Sequence, residues 1–205
     1  MNSSQSVNQA AKVLLCSGVI GMTATLCISG LPTTAAPSLT PQSITVTEVQ
    51  AAQQSWCDAL VAISKAHETG GLEQSKPLAG QVIDTAYGYQ FGPVAFKPTW
   101  AKGHTTFRDT RDGAVSYFVG DNPTYGDIGF AIGTPGPNRS PWVKCVPEIV
   151  VVQSFGNIAN AMGWVHVEAA DGTRGKVDKT FGYVRDHDGD LRIVVHHSSK
   201  PFTRN

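Results

Sequence analysis

Charge is scarce in this chain of 205 residues: 16 Lys and Arg stand against 16 Asp and Glu, 16% of the sequence in all, for a formal net charge of zero. A nucleic-acid binder needs a cationic surplus, so that function class is excluded first. Cysteine is nearly as rare. The four residues, Cys16, Cys27, Cys57 and Cys145, form no Cys-x-x-Cys pair and no Cys/His ligand spacing, which argues against a disulfide scaffold and a structural zinc site. Gly103 to Thr106 lacks a phosphate-loop pattern, no Gly-x-Ser-x-Gly elbow occurs, and there is no repeat or low-complexity tract. What is abundant is apolar: 41% hydrophobic residues with 8 Phe, 5 Tyr and 4 Trp. That is enough for one domain with one core, since a domain of this size buries roughly 70% of its unfolded surface.

The first 36 residues carry one charge, Lys12. Val13 to Leu31 then run 19 residues without a charge, before Pro32 and the small residues Thr33, Thr34, Ala35 and Ala36. This is the pattern of a secretory signal peptide over residues 1–36, cut after Ala35 or Ala36. Ser17, Gly18, Gly21, Thr23, Thr25, Ser29 and Gly30 make the run too weakly apolar to favour the alternative, a retained membrane anchor. The expected location is the periplasm or an equivalent extracytoplasmic compartment, with no membrane partner after cleavage. Cys16 and Cys27 leave with the peptide, and the remaining 15 basic and 16 acidic residues balance to −1. Cys57 and Cys145 stay in an oxidising compartment, where a disulfide is permitted but not required.

Residues 37–44, opening PSLTPQS, read as a linker. Thr45 and Glu48 make a capping box. Val49, Ala52, Trp56, Leu60 and Ile63 then recur at helical spacing until Gly70-Gly71. A second helix is expected over 76–86, with Ser75 as N-cap, Pro77 in its first turn and Leu78, Val82, Ile83 and Ala86 as its apolar side. After Tyr87-Gly88 the runs PVAFKPTW, HTTFRDT, AVSYFVG and DIGFAIG read as short strands or edges. Trp142 to Ser154, Ala159 to Ala169, Arg174 to Arg185 and Leu191 to Ser199 are four consecutive strands, the last three joined by hairpin turns at Asp171-Gly172 and Asp188-Gly189. Helices first and an antiparallel meander afterwards make an α+β fold, the sheet curling around the helix.

The last strand, LRIVVHHSSKPF, carries the most chemistry. Strict alternation places Leu191, Ile193, Val195, His197 and Ser199 on one face, the apolar one, and Arg192, Val194, His196 and Ser198 on the other. His197 and Ser199 therefore extend an apolar row, where a buried polar group needs a partner or a function. Neighbours on a strand diverge, so His196 and His197 do not chelate one metal. His104 and His166 lie at no ligand spacing that completes such a site. Asp186, Asp188 and Asp190 imitate half a calcium loop but lack the distal Glu, and read as a solvated hairpin turn.

The stretch KTFGYVRDHDGDLRIVVHHSS, with FKPT, FRDT, GAVSYFVG and the AMG before a strand, resembles the iota-class carbonic anhydrases. These look like the association domain of calcium/calmodulin-dependent protein kinase II, within the nuclear-transport-factor-2-like cone fold. The resemblance covers residues 45–202, and HHSS is its most specific part. It implies a cone-shaped, curved antiparallel β-sheet wrapped around a long N-terminal helix, a pocket between the two, a homodimer, and reversible hydration of CO2 to bicarbonate. Carried onto this sequence, it places Thr106 and Ser199 in the pocket together with a tyrosine, Tyr125, with Tyr117 and Tyr183 as alternates. Metal enzymes lower the pKa of bound water from about 15.7 to about 7, which hydroxyls cannot do by charge. The implied chemistry is metal-free: an apolar wall holds CO2, the hydroxyls of Thr106, Ser199 and Tyr125 position a water and stabilise developing charge, and His197 orients Ser199 or relays the proton. A zinc- or manganese-dependent version of the activity and a non-enzymatic assembly or small-ligand-binding module stand as alternatives. A ketosteroid-isomerase-like enzyme would need an inward carboxylate, and Glu148, Glu168 and Asp178 sit where alternation is ambiguous.

Overall fold

The computed structural model describes residues 42–204. The signal peptide expected over 1–36, with Cys16 and Cys27, and most of the linker lie outside the described residues.

Thr45 opens the first helix as a capping box requires. Its side chain accepts from the Glu48 N–H at 3.2 Å, and its own N–H donates to Glu48 Oε2 at 2.8 Å. Helix α1 (Val46–Ala86) is broken at Gly70-Gly71, where Gly71 takes a φ of +62° that L side chains avoid. The second arm resumes directly after this break, ahead of residue 76. Ser75 consequently is not its N-cap: it is buried within the helix, its hydroxyl donating to the Gly71 carbonyl at 2.9 Å.

Five strands form one sheet in the order β1-β5-β4-β3-β2: β1 (Ala95–Lys97), β2 (Trp142–Phe155), β3 (Ile158–Ala169), β4 (Arg174–Arg185) and β5 (Leu191–Ser199). The four long strands form the expected antiparallel meander, and β1 adds beside β5 in parallel, so the sheet is mixed. Gly163 lets β3 lie close to a kink in β2, because a Cβ there would collide with the Glu148 carbonyl oxygen.

Three of the expected short strands take other forms. AVSYFVG belongs to helix α2 (Arg111–Val119), whose N-cap Thr110 accepts from the Gly113 N–H. Every residue from Gly113 to Val119 is buried, so the helix shows no amphipathic period and its apolar run imitates a strand. HTTFRDT makes a 3-10 turn over Gly103–Thr105 and an irregular approach to α2. DIGFAIG carries no strand, since the N–H groups of Phe130 and Ala131 donate to the free carbonyls of Tyr117 and Phe118 at the end of α2.

Helix α1 packs across β2 and against α2 and β5. A Cys57–Cys145 disulfide, permitted by the sequence, ties α1 to β2 across a separation of 88 residues. On a chain-entropy basis a loop of that length stabilises the fold by about 4.6 kcal/mol. Between the helix and the concave face of the sheet lies an aromatic core of Trp56, Tyr87, Phe96, Phe118, Phe130 and Phe181.

Candidate active site

One residue in β5 decides which side chains reach the concave face. Gly182 pairs with Val195 and Tyr183 with Ile193, so Val194 is the extra residue of a β-bulge. Strict alternation from Ile193 would bring Val195, His197 and Ser199 inside; the bulge shifts the phase by one. His196 (0% exposed) and Ser198 (1%) point into the core, whereas His197 is exposed and Ser199 half-exposed. The inward row expected for His197 and Ser199 is corrected accordingly, as is the outward placement of His196.

The inner site is built from hydroxyls at one side and a nitrogen chain at the other. Thr99, just beyond β1, and Ser198, on β5, bring their Oγ atoms to 2.5 Å. The hydroxyl of Tyr117, on α2, reaches the Thr99 side chain and the Thr99 and Trp100 backbones, while burial pushes its phenol well above the usual tyrosine range. The phenol stays protonated and remains a donor. On the other side, Trp56 Nε1 donates to the Tyr87 hydroxyl at 3.0 Å, which lies 2.8 Å from His196 Nδ1; His196 Nε2 lies 2.7 Å from Lys179 Nζ. The imidazole stacks on Phe96 with centroids 4.3 Å apart. Burial, then the neighbouring Lys179, hold His196 well below the usual histidine range. Burial alone lowers Lys179 to about 7. The interior is thus polar but close to neutral. Trp100, Tyr117 and Phe130 form the inner end of a cavity of about 230 Å³ that also reaches Lys102, Thr105 and Tyr125 nearer the surface.

The residues assigned by resemblance are spread over three places. Thr106 sits at the end of the 3-10 turn, its hydroxyl donating to the Gly103 carbonyl at 2.7 Å. Tyr125 lies at the outer part of the cavity, its hydroxyl 3.2 Å from Thr110 Oγ1 and its ring under the Arg108 guanidinium at 4.6 Å. The arginine of FRDT is structural: buried Arg108 donates to Asp127 at 2.7 Å, and Ser116 donates to the same carboxylate. Ser199 and His197 line a groove on the convex face with Val150, Met162 and Trp164, and Ser199 donates to Asp178 at 3.0 Å. Of the alternates, Tyr117 belongs to the inner site, and Tyr183 is buried near the opposite end of β4. The structure therefore does assemble a Thr, a Ser and a Tyr, but as Thr99, Ser198 and Tyr117. Ser198 lies one residue from the serine the sequence singled out, and Val194-Val195 gives no local sign of a bulge. Thr99 was within reach through the FKPT motif. Lys179, Trp56 and Tyr87 come from distant elements, and only the fold joins them.

Glu148 Oε2 accepts from His166 Nε2 at 2.6 Å on the exposed convex side, and Glu168 is ion-paired to Arg174, so neither offers the concave site a carboxylate. Asp178 bonds outward to Trp164 and Ser199. Among the described residues no three His, Cys, Asp or Glu side chains gather as a metal-binding group, and no helix is long and apolar enough to cross a membrane.

A helix-wrapped cone with a near-neutral, hydroxyl-bearing interior is a scaffold for an uncharged or singly charged small substrate. The metal-independent carbonic anhydrase family matches residues 47–200, and this chain belongs to that family. Over 179 residues, 85% of this chain and 84% of the relative, it is 46% identical to the metal-independent carbonic anhydrase of Nostoc sp.. It is also similar, with a TM-score of 0.74 and 46% identity, to the crystal structure of a cyanobacterial iota-carbonic anhydrase complexed with bicarbonate, over 79% of this chain and 95% of that one.

Proposed function

We propose that this protein hydrates CO2 reversibly to bicarbonate, without a metal, at the Thr99–Ser198–Tyr117 hydroxyls. The observation that carries the assignment is the Thr99–Ser198 pair at 2.5 Å, a buried serine against a half-buried threonine, set beside a protonated phenol and an aromatic wall. Trp100 and Phe130, which line the cavity, supply apolar surface for CO2. The paired hydroxyls orient one water towards its carbon, and Tyr117 donates to the oxygen on which negative charge develops. In a water-excluded site such preorganised donors are worth about 10²–10³ in rate each. This is the chemistry the resemblance implied for Thr106, Ser199 and Tyr125, moved to the concave wall. Stopped-flow CO2 hydration tests it: wild type is active, and Thr99→Val, which keeps shape and removes the hydroxyl, loses about 100-fold. A wild type with no activity, or a variant as fast as wild type, overturns the assignment.

The protein is further read as an exported homodimer. Export is supported by the charge-poor N-terminal run and by the Cys57–Cys145 disulfide, which suits an oxidising compartment. Val150, Val151, Phe155, Ile158 and Met162 are all more than 40% exposed on neighbouring strands β2 and β3, an apolar surface suited to a second copy. Met162→Glu should convert the dimer to a monomer by sedimentation velocity.

A further inference from the structure

We propose that Lys179 accepts the proton released when CO2 is hydrated, standing at the end of a one-way hydrogen-bond chain that starts at Trp56. The inference rests on the hydration reading above. Lys179 lies directly across the β4–β5 ladder from Ser198, on the same concave face, so the amine and the hydroxyl pair are neighbours in one site.

The direction of the chain follows from counting protons. An indole N–H only donates, so Trp56 occupies the Tyr87 oxygen as a donor. Tyr87 has one hydrogen of its own, and its other contact is His196 Nδ1, which must accept it. The neutral imidazole then carries its hydrogen on Nε2, and that N–H faces Lys179 Nζ at 2.7 Å. Only an amine with a free electron pair can end such a chain. An ammonium there would force the imidazole to accept at Nε2 and leave the buried Tyr87 hydrogen with nowhere to go.

The surroundings agree. Trp56 faces Nζ from α1 at 4.4 Å, Phe130 from the segment after α2 and Phe181 from β4, each at 5.7 Å; His196 faces it from β5, with Tyr87 behind. His197 is on the far side of β5, and the neighbouring Asp178 bonds outward to Trp164 and Ser199. Among the described residues no carboxylate pairs with Lys179. Aromatic faces can hold a cation without neutralising it. The lysine therefore takes a proton near neutrality, at about 7, while the imidazole beside it resists one. A base matched to the working pH is what proton transfer needs.

In the hydration direction the water oxygen bonds to the carbon of CO2, and one C=O electron pair moves onto oxygen. The water's proton passes to the Nζ electron pair as Nζ lets go of the imidazole N–H. Bicarbonate and an ammonium result, and the ammonium later yields its proton to buffer.

The test combines stopped-flow hydration from pH 6 to 9 with ¹⁵N NMR of the wild-type imidazole. Wild type should lose rate on the acid side of about pH 7. Lys179→Met, which fills the same space, should be slower by about 100-fold and lose that acid limb. Above pH 8 the NMR signature of His196 should be Nδ1 unprotonated and Nε2 protonated, a readout independent of any variant. An active wild type whose Lys179→Met variant keeps both rate and acid limb overturns the proposal, as does a protonated Nδ1 at pH 8. A wild type without hydration activity instead overturns the hydration reading itself.

Discussion

His196 and Ser198 on the concave face, and His197 and Ser199 on the convex one, are the same two residue types in alternation over four positions, yet they occupy different solvents. Buried Ser198 shares its hydroxyl with half-buried Thr99, and His196 is sealed between Phe96, Tyr87 and Lys179. Ser199 donates to Asp178 beside a groove that is open to water in the single subunit, and His197 is exposed there. A hydroxyl gains catalytic value where water cannot compete for the same charge, because a dipole fixed in a low-dielectric site needs no reorganisation when charge develops. The contrast rests on the bulge at Val194, which lets Ile193 and His196, three residues apart, both face inward.

Inserting one alanine between Val195 and His196 attacks that contrast most directly. The alanine would take the place of His196 opposite Phe181, and strict alternation would then bring His197 and Ser199 to the concave side and turn His196 and Ser198 out. The new inward pair would meet neither Thr99 nor the Tyr87 hydroxyl in register, leaving buried polar groups unpaired at about 1–3 kcal/mol each and a core cavity besides. The expected outcome is loss of the folded state, seen as loss of the near-ultraviolet circular dichroism of the aromatic core. A folded, active insertion variant would show that the phase of the strand does not sort the two faces.

The same bulge marks the limit of what the amino-acid sequence discloses. The capping box at Thr45, both hairpin turns and the long strands over 142–199 were legible, because each is written in local pattern: a Thr-x-x-Glu, an Asp-Gly, a run of alternating side chains. α2 was not, since a helix buried on every side has no amphipathic period. The site was half legible. The motif FKPT holds Thr99, and HHSS holds both histidines and both serines, but choosing between faces required the pairing of Tyr183 with Ile193, a contact between strands. Lys179 gave no sign at all, because a lysine on an alternating strand normally reads as a solvent-facing residue.

Lys179 and Lys176 extend the comparison of faces to β4. Both side-chain nitrogens lie over tryptophan rings, Lys179 at 4.4 Å from Trp56 inside and Lys176 at 3.8 Å from Trp164 outside, but Lys176 is exposed. The lysine inside has a folded-state value of about 7, against an ordinary 10.5. Between those values the unfolded chain binds the extra proton, so stability should rise with pH, by at most about 1.4 kcal/mol per unit, and flatten below 7. Above pH 10 the buried tyrosines, whose phenols burial pushes up, act in the opposite direction. Urea midpoints between pH 7 and 9.5 should climb for wild type and for Lys176→Met, and lose most of that slope in Lys179→Met. Equal slopes in the two variants would erase the distinction between inner and outer lysine.

A smaller energy separates the serines. Ser198→Ala should lower CO2 hydration by about 100-fold, or about 2.7 kcal/mol of transition-state stabilisation, while Ser199→Ala changes it less than about twofold. Stopped-flow rates on the two folded variants decide the matter, and the reverse ranking would move the chemistry to the convex groove.

The least disruptive test is Asp178→Asn, which alters only the outer side. Asp178 Oδ1 accepts from Trp164 Nε1 and Oδ2 from the Ser199 hydroxyl, both at 3.0 Å. An asparagine keeps a carbonyl oxygen for the indole and offers an amide N–H to the serine oxygen, which can accept as readily as donate. Both bonds survive, one reversed, and no buried group is orphaned. Stability should therefore change by less than about 0.5 kcal/mol in a urea titration. Hydration should keep its wild-type rate, because the lost negative charge is separated from the Thr99–Ser198 pair by the sheet itself. A tenfold loss of rate from so mild a change would mean that Asp178, and with it Ser199 and His197, takes part in the chemistry from the convex side.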